Sequence, residues 1–106
     1  MPIVANGKTQ EVVSLFTNSN GQTSWYSLRL SVELVSGGGS VVEIKVNGDS
    51  VPDQLGAFNC NVDPGTQERS ASRFVLLEDG DVVTADIQGT GVVNLTLSGD
   101  VASEQL

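Results

Sequence analysis

The chain has 106 residues, enough for one domain with one hydrophobic core and too few for a second core of ordinary size. Thirteen acidic residues against five basic ones give a formal net charge of -8, which argues against nucleic acid and anionic membranes as partners. The sequence contains no histidine, the side chain that most enzymes use for proton transfer. We therefore expect a protein without catalytic residues and without a cofactor.

The opening residues contain neither the basic stretch nor the apolar run that directs a chain into secretion. Cys60 is the one cysteine of the sequence, so an intrachain disulfide is excluded. These two features predict synthesis and assembly in a cytoplasm. Because no activating base is identifiable for it, Cys60 is expected to be a small buried core residue and not a nucleophile.

Alternation of apolar and polar residues predicts strands along most of the chain, and no segment has the roughly 3.6-residue period of a helix. The predicted strands cover residues 9–17, 25–35, 41–47, 58–62, 73–78, 83–88 and 93–98. Clusters of glycine, asparagine and aspartate separate several of them, at residues 18–21, 37–39, 79–81 and 89–91. The glycine clusters predict hairpins, the Asn20-Gly21 pair carries a hairpin signal, and the last three strands predict a C-terminal meander.

About seven short strands with glycine-rich turns predict an all-β fold. We expect a single antiparallel two-sheet β-sandwich, jelly-roll-like, over residues 1–106. Residues 1–8 are expected to form an N-terminal arm and residues 100–106 a C-terminal tail. The aperiodic stretch 63–72 is expected to be a flexible loop that, like the arm, reaches a neighbouring molecule.

Several strands carry apolar residues on both faces, which a solitary antiparallel sandwich does not need. In the run of residues 74–77, if Phe74 and Leu76 face the core, then Val75 and Leu77 face outward. We predict a contact between copies of the chain, or with another protein, made by Val12, Phe16, Trp25, Val75, Leu77, Val82 and Val92. The alternative is that scattered apolar surface residues are normal and that Val82 and Val92 lie under loops.

Two other features suggest ligand sites. Residues 78–81 place three carboxylates in one turn, and oxygen ligands suit calcium, but turn geometry alone favours Asp and Gly there, so no metal site is predicted. An exposed Trp25 ring could stack on a sugar, although a carbohydrate platform usually needs more than one aromatic on a face.

Residues 73–83, continuing through residues 88–91 to residues 97–99, resemble the closing strands of trimeric jelly-roll modules. The resemblance, over about a quarter of the chain, is to C1q/TNF-like domains and to small head-decoration and fibre proteins of tailed bacteriophages. It implies a homotrimer that decorates or cements the outside of a capsid shell, located in the virion after assembly in the host cytoplasm. The alternatives are an extracellular carbohydrate-binding or adhesion module with Trp25 at its site, and a hydrolase with convergent carboxylates.

Overall fold

The computed structural model describes residues 2–51 and 57–101, and this part of the chain is built from strands and short connections. Its nine strands are β1 (Ile3–Lys8), β2 (Val12–Thr17), β3 (Ser24–Ser36), β4 (Ser40–Val46), β5 (Asp49–Ser50), β6 (Asn59–Val62), β7 (Glu68–Leu77), β8 (Val82–Gly89) and β9 (Val92–Val101). Seven of them coincide with predicted strands, and the two additional ones are β1 and β5. Within the described ranges, no helix has the length and apolar character needed to span a membrane.

The strands form two antiparallel sheets that pack face to face. Sheet A has the order β1-β9-β3-β7, and sheet B has the order β2-β8-β4-β5, with β6 also paired to β4. Outside β4, β5 and β6, each strand lies in the sheet opposite to that of the preceding strand. Leaving out the two-residue β5, the described strands follow the eight-stranded jelly-roll arrangement of two Greek keys. The predicted fold class is confirmed.

One hydrophobic core lies between the two sheets, because alternate side chains of each strand point to the same face. Sheet A contributes mainly Leu28, Leu30, Val32, Leu34, Val93, Leu95 and Leu97, and sheet B contributes mainly Val42, Ile44, Val62, Val83, Ala85 and Ile87. Each larger aliphatic side chain gains about 1.5–3 kcal/mol on leaving water, so this layer is what holds the sheets together.

The glycine-rich connections cross between the sheets instead of closing hairpins. Residues 37–39 join β3 to β4, and residues 89–91 join β8 to β9, and each of these pairs has one strand in each sheet. The Asn20-Gly21 pair likewise lies between β2 and β3. The predicted hairpins and the C-terminal meander are therefore wrong. Glycine with positive φ permits a sharp reversal of the chain but does not specify the sheet to which it returns.

A hairpin does occur between β4 and β5, at the Asn47-Gly48 pair, where none was predicted. Asn47 and Gly48 have φ values of 53° and 85°, as a two-residue type I′ turn requires. The turn pairs Lys45 with Ser50 and Val46 with Asp49.

The N-terminal residues form a strand and not an arm. Strand β1 is an edge of sheet A and pairs with β9, and the buried Ala5 lies opposite Leu95. The register shifts between Ala5 and Lys8, where the Gly7 N–H donates to Asn94 Oδ1 at 2.9 Å. This irregularity breaks the alternation that would have revealed the strand. At the other terminus β9 includes residues 100–101, and residues 102–106 of the predicted tail lie outside the described residues.

Only part of the predicted loop at residues 63–72 is a loop. Asp63 and Thr66 close a tight turn through reciprocal backbone hydrogen bonds of 2.9 and 3.0 Å, and β7 begins at Glu68. Residues 68–72 are polar except for Ala71, and every one of them except Ala71 is exposed. The first half of β7 therefore lacks the alternation of apolar and polar residues from which strands were predicted.

Gly89 stands where β8 turns towards the other sheet, and we expect it to be irreplaceable. Its φ is 103°, and a Cβ there would overlap the Gly39 carbonyl oxygen. Gly89→Ala should lower the free energy of unfolding in urea by about 2–4 kcal/mol. Gly21→Ala is the matched control, because Gly21 has a φ of 80° with open space around it and should lose only about 1 kcal/mol. Equal losses would contradict the close approach.

The Cys60 side chain lies in the core, as predicted, with 3% of its surface exposed. Desolvation raises the pKa of its thiol, so less thiolate forms near neutral pH than in a free cysteine. We expect native Cys60 to react with Ellman's reagent at least roughly a hundredfold more slowly than the urea-unfolded chain. Reaction of the native protein at the unfolded rate would mean that β6 does not cover the core as described.

Candidate association surface

The pairing of β3 with β7 determines which side chains sheet A presents to solvent. The two strands pair without interruption from Ser24 opposite Leu77 to Glu33 opposite Glu68. Val75 and Leu77 are buried, so the pleat turns the alternate side chains, Phe74 and Leu76, outward. The predicted phase of β7 is therefore wrong, and Val75 and Leu77 belong to the core and not to an interface. The prediction that this strand carries apolar residues on both faces is confirmed.

Three outward side chains form an apolar cluster at one end of the β3–β7 pair, and we call it the association patch: Trp25, Phe74 and Leu76. Their exposed fractions are 43%, 68% and 49% respectively. Trp25 lies directly opposite Leu76, and Phe74 lies two residues further along the same face. Opposite neighbours on one sheet face lie about 5 Å apart and diagonal ones about 7–8 Å apart, so the three side chains are contiguous.

A hollow of about 700 Å³ adjoins the association patch at the edges of the two sheets. Phe74 and Leu76 line it from sheet A, and Val46 and Val51 line it from the opposite side. A protruding aromatic ring beside an apolar hollow is the combination that association surfaces use, because the ring of one molecule fills the hollow of another.

The strands that carry the patch also carry much of the chain's positive charge. Of the five basic residues in the sequence, three lie on β3 and β7: Arg29, Arg69 and Arg73. The same strands carry two acidic residues, Glu33 and Glu68. Since the chain as a whole has a net charge of -8, this is a region where a second copy meets little repulsion.

Asn18 fixes the end of β7 from within. Its side chain is buried, and its Nδ2 donates to the carbonyl oxygens of Gln22, Leu77 and Glu78 at 3.1, 3.2 and 3.0 Å. Its Oδ1 accepts a hydrogen bond of 2.6 Å from the Tyr26 hydroxyl. A buried amide with all these partners holds the loop after β2 against the end of β7, and so holds the patch in place.

The remaining predicted interface residues do not lie together. Val12 is 64% exposed but belongs to β2, at the far edge of sheet B. Val82 and Val92 are half-buried at the starts of β8 and β9. Of the seven predicted residues, Trp25 alone belongs to the association patch.

Phe16 packs inward because of a β-bulge. The register of β2 shifts between Ser14 and Phe16, which allows both Leu15 and Phe16 to pack against the core. The Phe16 ring lies 5.8 Å from the Tyr26 ring, centroid to centroid.

Phe74 and Leu76 were not predicted as surface residues, because the predicted phase of β7 assigned them to the core.

Two of the three carboxylates in the turn at residues 78–81, those of Asp79 and Asp81, accept hydrogen bonds within the fold. Asp79 Oδ1 accepts from the Gly21 N–H at 3.0 Å, and Asp81 Oδ2 accepts from the Glu78 N–H at 2.8 Å. In the part of the chain that the structure describes, no three His, Cys, Asp or Glu side chains are grouped to hold a metal ion.

No family model matches the sequence, and no curated protein matches it. Solved structures are similar in fold. The nucleoplasmin-like N-terminal domain of Drosophila FKBP39 has a TM-score of 0.54 at 14% identity, over 99% of this chain and 94% of that one. A Podospora anserina GH26-CBM35 β-(1,4)-mannanase has a TM-score of 0.53 at 12% identity, over 98% of this chain but only 29% of the mannanase chain.

The coat protein of Tobacco streak virus is less similar, with a TM-score of 0.40 at 15% identity, over 100% of this chain and 90% of that one. A score of this size carries no argument about function. The two stronger likenesses show that the chain shares a β-sandwich fold with proteins of very different kinds. Since one fold serves many functions, the role of this chain has to be argued from its own surface.

Proposed function

We propose that the chain is a non-enzymatic structural subunit that associates with further copies of itself through the association patch. The observation that supports this is the joint exposure of Trp25, Phe74 and Leu76 on one face of sheet A. Monomeric soluble proteins rarely expose large contiguous apolar surfaces. A second copy is the occupant that the charge distribution favours, because the arginines of β3 and β7 attract an otherwise acidic molecule.

The chemistry of the described side chains favours a structural role over an enzymatic one. The sequence has no histidine, Cys60 is buried with a raised thiol pKa, and Asp79 and Asp81 accept backbone hydrogen bonds in their turn. The groups most often used for proton transfer and nucleophilic attack are therefore absent, buried or engaged within the fold at these positions.

We further propose that the assembled subunits decorate the outside of a larger protein shell, specifically a viral capsid. The resemblance of residues 73–83 and 97–99 to the closing strands of trimeric decoration proteins supports this step. The assembly would then be a homotrimer, formed in the host cytoplasm and carried on the virion. A closed ring results if the patch of each copy meets the hollow of the next and the rotation between them closes.

Trp25 is the one tryptophan of the sequence, so its fluorescence reports directly on the association patch. We expect the emission to shift to shorter wavelength as the protein concentration rises, because association removes the indole from water. Sedimentation equilibrium over the same range should give the mass of several copies. The double variant Phe74→Ser/Leu76→Ser should sediment as a monomer, because it removes the apolar area that association buries.

Val12→Ser is the matched control, since Val12 is 64% exposed, within the range of Phe74 and Leu76, but lies at the far edge of sheet B. It should associate like the unmodified protein. A chain that sediments as a monomer at its highest soluble concentration would overturn the proposal, as would equal association of the double variant and the control.

A further inference from the structure

The outer face of sheet A carries a second feature beyond the association patch. A groove of about 500 Å³ is lined by side chains from all four strands of this sheet. Among the described residues that line it, all but Val32 are polar or charged, and the Val32 side chain is buried in the core between the sheets. The groove therefore differs from the patch in its chemistry.

The groove has a floor of short hydroxyl side chains between walls of longer polar ones. Ser31 lies opposite Thr96 of β9 on one side and opposite Ser70 of β7 on the other, so three hydroxyls form one row across the strands. Two residues away along β3 stand Arg29 in one direction and Glu33 in the other. Because short side chains separate long ones, the row becomes a trough that crosses the strands.

The two walls carry opposite charges. On one side, Arg29 extends over the floor, and its Nη2 donates to Ser70 Oγ at 3.2 Å. On the other side, Glu33 and Glu68 lie directly opposite each other, with Asn94 as the next neighbour of Glu33 in that row. Arg69, next to Glu68 on β7, also lines the groove, so its lining carries two positive and two negative side chains. A ligand of one charge sign would be attracted by one wall and repelled by the other.

We propose that this groove binds a neutral oligosaccharide. Sugar hydroxyls both donate and accept, so they can donate to the carboxylates of Glu33 and Glu68, accept from Arg29, and do either with the hydroxyl floor. A peptide would need an apolar pocket for an anchoring side chain, which the described lining does not offer. Neighbouring strands lie about 4.8 Å apart, so a trough from Asn6 of β1 to β7 has room for about three sugar units, with the exposed Val4 beside Thr96 at its β1 end.

The proposal does not rest on the association of copies. Ser31 lies six residues from Trp25 along β3, a distance of about 20 Å in an extended strand, so a contact confined to the association patch leaves the groove open. Without an aromatic ring to stack on the sugar, each groove should bind weakly, with a Kd on the order of 1 mM. An assembly that presents several grooves would strengthen attachment to a surface with many glycans.

The test is a titration of the isotope-labelled protein with neutral trisaccharides, namely those of glucose, mannose, xylose and N-acetylglucosamine, followed by amide chemical shifts. We expect at least one of them to shift amides of β1, β3, β7 and β9 around Ser31. Arg29→Ala and Glu33→Gln should each weaken that binding about tenfold, because each removes a charge-assisted hydrogen bond. Glu43→Gln, on the outer face of sheet B, is the matched control and should bind like the unmodified protein.

The same titration of the Phe74→Ser/Leu76→Ser variant separates this proposal from the proposed self-association, because a monomer should keep the groove. The proposal is overturned if no trisaccharide shifts these amides at concentrations of about ten times the expected Kd. It is also overturned if the shifts map to sheet B or to Trp25, or if only inorganic phosphate or an acidic sugar binds. Should Arg29→Ala fail to fold, Glu33→Gln decides the outcome.

Discussion

The surface of this protein follows from the pleat of β7 against β3. Once Val75 and Leu77 enter the core, the alternate side chains of Phe74 and Leu76 can only point away from it, and they reach solvent beside Trp25. The long uninterrupted pairing of the two strands, and the hydrogen bonds that bind the end of β7 to the Asn18 amide, leave no freedom to slip by one residue. The association patch is therefore a consequence of how the core is filled.

The sequence alone locates most of the strands but not their partners. Alternation is a local property, and it identified the long central strand β3 and its neighbour β9 well. Pairing is decided by contacts between distant segments, so turns such as residues 37–39 look the same whether they close a hairpin or cross between sheets. The phase of residues 74–77 was not predictable, because all four residues are apolar. Either Phe74 and Leu76 or Val75 and Leu77 could fill the core. Strand β1 was hidden by its register shift at Gly7.

Two surfaces of different chemistry share the outer face of sheet A. The patch around Trp25 is apolar and gains free energy by leaving water, whereas the trough around Ser31 is polar and offers directional hydrogen bonds. The first suits contact between copies, and the second suits a hydroxyl-rich ligand. They are separated along β3, so a contact confined to the patch leaves the trough exposed. The sequence indicated a two-sided strand, but it gave no sign of the trough, since hydroxyl residues from three strands become neighbours only through pairing.

The alternating exposure of β7 can be measured directly by single cysteines placed at positions 74, 75, 76 and 77 in a Cys60→Ala background. The rate of maleimide labelling is recorded in dilute native protein and again in urea. We expect Phe74→Cys and Leu76→Cys to react in the native protein at rates near those of the unfolded chain, and Val75→Cys and Leu77→Cys to react only on unfolding. Fast labelling at positions 75 and 77 with protection at 74 and 76 would contradict this pairing of β7 with β3, as would labelling at one uniform rate.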